Sequence, residues 1–168
     1  VYPIIRMNNI TYLGGWDFSS LKFIDLDKKE LKKHLVHKGQ ILFNRTNSKE
    51  LVGKTAVFRE EKPMVFAGYL VRGITNELAD PEYIGSFMNT PQTKQFLQNK
   101  CKCIVGMANI NAKEFQLIPI PKPPLPLQRR FAAIVESVEQ QKTRLRAHLP
   151  ELDILFASLQ DRAFKGAL

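Results

Sequence analysis

The 168-residue chain is expected to fold as an α/β (α+β) domain followed by one long coiled-coil helix. Three observations carry that expectation. Up to about residue 120, short runs rich in β-branched and aromatic residues alternate with polar turns. Five prolines then crowd the stretch IPIPKPPLPLQ at 118–128. Beyond them Phe131, Val138, Leu145, Leu152 and Leu159 recur every seven residues. A chain of this length can bury one good core with an appended element, but hardly two full domains.

Strands are expected at IIRM (4–7), QILFN (40–44), KTAVF (54–58), MVFAGYLVRG (64–73) and FQLIPI (115–120). Between the first two, DKKELKKHLVHKG starts on Asp27 as a helix cap and stops at Gly39, which predicts a short basic helix. A second helix is signalled by Asp80 as cap, Pro81 at the first helical position and Glu82 near the positive end of the dipole. Its Tyr83, Phe87 and Met88 share one face. Asn111 and Glu114 have capping-box spacing and predict a helical turn ahead of the last strand. The prolines forbid a central strand and a helix interior alike, so they form a stiff extended hinge.

The heptad stripe is flanked by Ile134, Val135, Leu149, Leu155 and Phe156. Pro150 lacks the N–H that would bond the carbonyl of Arg146, and its ring crowds that turn. Two independent helices would have no reason to keep one register through it. A single kinked helix of roughly 35 residues, about 50 Å long, is therefore preferred to a hairpin bent at Pro150. So long a stripe needs another helix alongside it, with Gln141 and Lys142 as a polar layer that sets register.

Lys and Arg total 25 against 16 acids, and the net charge of +9 favours a polyanionic partner, nucleic acid or an anionic surface. No apolar run approaches the roughly 20 residues that cross a bilayer, and no charged-then-apolar leader opens the sequence, so a soluble cytoplasmic protein without membrane partners is expected. The chain begins Val1-Tyr2-Pro3 without an initiator Met, which reads as a fragment of something longer. Cys101 and Cys103 are too few for a disulfide framework and too close for CxxC zinc pairing, and read as thiols.

The stretch LFNRTNSKELVGKTAVF (42–58) holds more hydrogen-bonding groups than a turn requires, since Gly53 and one Asn could close it. Arg45, Lys49 and Lys54 offer charge for phosphates, whereas Asn44, Asn47 and Ser48 can bond phosphates or base edges. The competing reading is a self-bonded turn in which Asn44 and Asn47 cap their own backbone. Arg6, Asn8 and Asn9 pose the same choice: Asn can grip adenine and Arg guanine in bidentate fashion, or both can be merely solvated.

Three groups imitate enzyme motifs. Asp80-Pro81-Glu82-Tyr83 resembles the DPPY signature of adenine methyltransferases, but the second proline is missing and no Gly-rich segment follows an early strand to hold a methyl donor. It reads as a helix start. Glu60-Glu61-Lys62 contains a nuclease-like ExK fragment without a matched upstream acid, and His34 with His37 lacks further metal ligands. Neither catalysis, metal nor cofactor is expected.

The order YPIIRMNNI, KGQILFNRTNSKELVGKTAVF, ANINAKEFQLIPIPKPPLPLQRRFAAIVESVEQQ and LFASLQDRAFKGAL resembles the specificity (S) subunit of type I restriction-modification systems over nearly the whole chain. The resemblance implies a DNA target recognition domain at 1–121 with a twisted, partly barrel-like sheet, a proline-rich hinge at 122–128 and a conserved helix at 129–168. Such subunits carry two recognition domains whose helices pack antiparallel as a spacer, and this chain holds one such unit. The implied role is a non-catalytic reader of one half of a bipartite duplex DNA target, mainly in the major groove. Its implied partners are methyltransferase (M) subunits and, through them, restriction (R) subunits, with a second recognition unit or second copy held through the helix. The alternative is a shortened S-like protein that sequesters M subunits and regulates assembly. Segments 6–9 and 44–54 are the expected DNA contacts, and Phe131 to Leu159 the helix-pairing stripe.

Overall fold

The computed structural model describes residues 1–104 and 107–166, with only the backbone of 102–104. It divides into two units, Val1–Arg129 and Arg130–Leu168. The first is mixed α/β; the second is helical.

Strands β1 (Tyr2–Ile5), β2 (Lys22–Ile24), β3 (Leu35–Val36) and β7 (Met64–Phe66) form one sheet in the order β2-β1-β7-β3, with β1 and β7 parallel and the other pairs antiparallel. Strands β4 (Ile41–Asn44), β6 (Thr55–Val57) and β8 (Leu70–Gly73) form an antiparallel sheet with β4 in the middle. A third sheet joins β5 (Thr46–Asn47), β10 (Met107–Asn109) and β9 (Lys102–Ile104), again antiparallel. Where one twisted, partly barrel-like sheet is expected, the strands thus separate into three short sheets, and none closes into a barrel.

Central β4 is buried along its whole length, and the alternation of a strand distributes it between two cores. Leu42 joins Ile5, Ile10, Phe58 and Phe66 on one side, while Phe43 joins Val52, Met88, Leu97 and Ile110 on the other. The expected strand at 64–73 is two strands, split at Ala67-Gly68-Tyr69 so that its halves serve different sheets.

Helix α1 (Lys28–His34) is capped by Asp27, whose carboxylate accepts from the N–H groups of Lys29 and Glu30. It ends before Gly39, because Leu35 and Val36 leave it to pair with β7. Helix α2 (Pro81–Met88) begins on Asp80 as the dipeptide predicts, and Thr90 with Pro91 repeats the device to start α3 (Pro91–Lys100). The capping box of Asn111 and Glu114 opens α4 (Ala112–Gln116). The strand expected at 115–120 does not form: Phe115 lies on α4, its ring 4.5 Å from that of Phe43, and residues 118–120 are irregular.

Helix α5 (Leu125–Phe164) runs 40 residues without interruption through Pro150, about 60 Å at 1.5 Å per residue. It starts inside the proline segment, since Pro126 stands in the first turn, where a missing N–H breaks no bond. The Gln128 side chain anchors this first turn, accepting from the N–H of Asp80 at 2.9 Å and donating to the carbonyls of Leu78 and Pro123. From Phe131 onward the stripe is exposed: Leu145 to 70% and Leu152 to 59%.

Candidate nucleic-acid interface

The two expected contact segments meet in space. Lys54, only 8% exposed, turns its ammonium inward to donate to the carbonyls of Met7 at 2.7 Å and Ile10 at 2.5 Å. It joins the turn after β4 to the segment after β1 instead of facing solvent. Gly53 lets the same turn press against Leu97: its φ is +84°, and a Cβ there would stand 2.5 Å from Leu97 Cδ1.

Around Arg6 the chain forms a 3-10 turn (Met7–Asn9). Asn9 is buried and structural, accepting from the Arg6 N–H at 2.8 Å and donating to the carbonyl of Asp17 at 2.8 Å. Asn8 is exposed. The Arg6 guanidinium donates to the carbonyl of Ser20, while its Nε is buried without a hydrogen-bond partner among the described residues.

In the second segment Asn44 is fully buried, and neither polar atom of its side chain has a partner among the described residues. Arg45 lies at the junction of two sheets, with its N–H on the Tyr69 carbonyl and its own carbonyl accepting from Ile110. Asn47 accepts from the Ser48 N–H, the self-bonding that the competing reading anticipates, and Ser48 accepts through its carbonyl from Leu51 and Val52. Lys49 and Glu50 are exposed at the tip. The backbone N–H of Glu50 and then the Ser48 hydroxyl hold the Glu50 carboxyl below the ordinary carboxylate range.

Helix α3 supplies a third component that sequence reasoning overlooks. Lys94, 6% exposed, donates to the Tyr12 carbonyl and stands 3.3 Å from the centroid of the Tyr12 ring. Asn89, just before α3, donates to the carbonyls of Thr55 and Gly85. The Thr90-Pro91 pair is the signal that could have revealed α3; the inward course of Lys94 has no local signal. Burial pushes the Lys54 ammonium below the ordinary lysine range, and burial followed by the charge of Lys54 does the same to Lys94. Neither makes an ion pair with a described carboxylate.

Segments 6–16, 44–54 and 89–101, stitched together by these contacts, contain six Lys or Arg against one acid, Glu50. Their net +5 is more than half of the chain's +9, carried by about a fifth of its residues. Charge is thus concentrated where the loops converge, the condition for attracting a polyanion.

The remaining motifs have structural duties. Asp80 caps α2, and Glu82 takes a two-pronged grip from Arg59 at 2.7 and 2.6 Å. Glu61 pairs with Lys38. His34 lies against the Phe66 carbonyl and Glu30, and β3 separates it from exposed His37. The Cys101 thiol donates to the carbonyl of Gln98, and the side chain of Cys103 lies outside the described residues. Among the described residues no three His, Cys, Asp or Glu side chains gather as a metal site, and no helix is long and apolar enough to cross a membrane.

The profile of the family described as type I restriction modification DNA specificity domain matches residues 1–152. The chain belongs to this family. Two curated relatives are the type I restriction enzyme EcoKI specificity subunit of Escherichia coli (strain K12), 27% identical over 174 residues, and the StySPI specificity subunit of Salmonella potsdam, 28% identical over 169. Each alignment covers 99% of this specificity-domain chain but only 37% and 35% of the relative, so the chain spans little more than a third of their length. The same fold occurs in a chain from a structural study of complex assembly and conformational transition in the type I R-M system, with a TM-score of 0.59 at 20% identity. That match covers 99% of this chain and 39% of the other.

Proposed function

We propose that this specificity-domain chain reads one half of a bipartite duplex DNA target and directs methyltransferase and restriction subunits to it, performing no chemistry itself. The observation that carries the reading is the braced concentration of basic residues in segments 6–16, 44–54 and 89–101 in a member of this family. Within it, Arg6, Asn8, Arg45, Asn47, Ser48 and Lys49 are the side chains offered to DNA. Phosphate contacts set the position and Asn or Arg at base edges sets the sequence. Asn9 and Lys54 hold the loops in place. Asn44 is buried, its carboxamide without a hydrogen-bond partner among the described residues, and is not among the side chains offered to DNA.

The domain division assigned is recognition at 1–121, proline segment at 122–128 and spacer helix at 129–168. In the spacer, Phe131, Val138, Leu145, Leu152 and Leu159 pack against the equivalent helix of a second recognition unit or second copy, which sets the separation of the two half-sites. The cytoplasm, where such DNA is met, is the place of action.

Two measurements test the proposal. Duplex affinity of the whole chain should fall steeply with salt, because several phosphates release counterions. An affinity flat between low and moderate salt would refute phosphate contact. Mixed with methyltransferase subunits, the chain should support site-specific adenine methylation; sequestration of those subunits without activity would favour a regulatory role.

A further inference from the structure

Residues 11–15, Thr-Tyr-Leu-Gly-Gly, form a turn that the assigned contacts do not use. It is tightly specified: Thr11 N–H donates to the Gly15 carbonyl at 2.9 Å, Gly14 N–H to the Thr11 carbonyl at 3.2 Å, and Gly15 N–H to the Thr11 hydroxyl at 2.9 Å. Ile10 and Trp16 close it as a bridge, and the Trp16 indole donates to the Val57 carbonyl at 2.8 Å. Gly14 sits at φ +81° with its backbone pressed on the protein; a Cβ there would lie 2.3 Å from Asn89 Nδ2 and 2.6 Å from the Thr55 carbonyl. Yet the tip is apolar and outward: Leu13 is 81% exposed and Tyr12 48%.

Stability alone does not require Leu13 at such a tip, and the base of the turn is chemically unusual. Two buried ammonium groups bond the carbonyls of Met7, Ile10 and Tyr12, with no described carboxylate against either. In a medium less polar than water, such uncompensated charge projects through the turn, and an anion seated outside relieves it. Residues 1–16 and 83–113 contain no Asp or Glu at all, so the turn and the helix beneath it repel no polyanion.

We propose that the turn at 11–15 is a further DNA-contacting element, in which Tyr12 and Leu13 rest on the sugar-phosphate wall beside a phosphate drawn by Lys54 and Lys94. The inference rests on the DNA-reading function above and adds to it a contact that is apolar at the tip and charged at the base. A second phosphate-proximal element also adds to the salt dependence of binding.

The test uses the whole chain and a mixed-sequence duplex, read by fluorescence anisotropy. Leu13→Asp places a carboxylate at the exposed tip with no packing lost. Ile74→Asp is the matched control, because Ile74 is 68% exposed and follows Gly73, at the opposite end of the β4–β8 ladder from Asn44. Leu13→Asp should weaken binding about fivefold or more relative to Ile74→Asp, as a like charge near a phosphate demands. Equal affinities of the two variants, with the unaltered chain binding DNA, overturn the inference alone. Failure of the unaltered chain to bind overturns it together with the DNA-reading function. Loss of association with methyltransferase subunits in Leu13→Asp, with DNA affinity intact, also overturns it and assigns the tip to a protein partner. Lys94→Met, verified as folded by its thermal transition, should bind about threefold more weakly; affinity unchanged in the folded variant removes the charge beneath from the explanation. If that variant does not fold, the Leu13 comparison decides.

Discussion

The α/β unit and the long helix use the same apolar residue types in opposite ways. In the unit Val1–Arg129, Phe43, Leu42 and Ile5 are wholly buried by partners distant in sequence, so the hydrophobic pattern is satisfied within the chain. In Arg130–Leu168, Leu145, Leu149 and Leu155 are all more than half exposed along a helix of regular period. An exposed heptad stripe gains nothing from burial within the helix, and the proposed pairing with a second helix is where its free energy is realised. Burial and periodicity therefore carry different information: one marks what a chain does for itself, the other, under the proposed pairing, what it does with a neighbour.

The contrast is most severely tested at Phe43, which lies on β4 and packs against Phe115 of α4. Phe43→Ala should destabilise the α/β unit by about 3–5 kcal/mol in chemical denaturation. A loss below about 1 kcal/mol would mean the core does not close as described. Leu152→Ala should behave in the opposite sense, leaving that unfolding transition within about 0.5 kcal/mol while weakening association between copies by about 2 kcal/mol, roughly thirtyfold. Sedimentation equilibrium over a range of concentrations measures it; a species of constant mass in both proteins would break the comparison.

Gln128 sharpens the boundary. Although it lies in α5, it is 1% exposed and makes three hydrogen bonds within Val1–Arg129, so Gln128→Ala should cost about 1–3 kcal/mol, with Asp80 N–H left unpaired. An exposed helix residue such as Gln140 should tolerate the same change.

The smallest effect concerns the buried lysines. Their folded pKa values lie below the ordinary 10.5, so at neutral pH the folded state carries the full penalty of the buried charges. As pH rises through the depressed values toward 10.5, the unfolded chain retains more protons than the folded one, and stability increases. Urea midpoints measured across that alkaline window should rise for the unaltered chain relative to the double variant Lys54→Met/Lys94→Met. Parallel curves would show that neither ammonium is desolvated.

Much of this architecture was legible because its causes are local. Asp27, Asp80 and Asn111 cap helices through N–H groups two and three residues away, and the heptads run through Pro150 as their phase requires. What escaped depends on distant partners. FQLIPI reads as a strand, yet Phe115 is drawn onto α4 by packing with Phe43, 72 positions earlier. Two-residue β5 owes its existence to β10. For the site, the convergence of segments 6–9 and 44–54 was not visible, because Lys54 reads as a surface cation until its bonds to Met7 and Ile10 are seen. Lys94 reaches a carbonyl 82 positions away.

The two ammonium groups hydrogen-bond main-chain oxygens, at Met7, Ile10 and Tyr12, and the Tyr12 ring adds a side-chain contact to Lys94. Every amino acid offers the same carbonyl, so these hydrogen bonds are indifferent to the side chains displayed at positions 8 and 13. Randomised libraries at positions 8 and 13 should therefore yield folded proteins and, under the proposed DNA-reading function, altered sequence preference: reading can drift while scaffolding stands still.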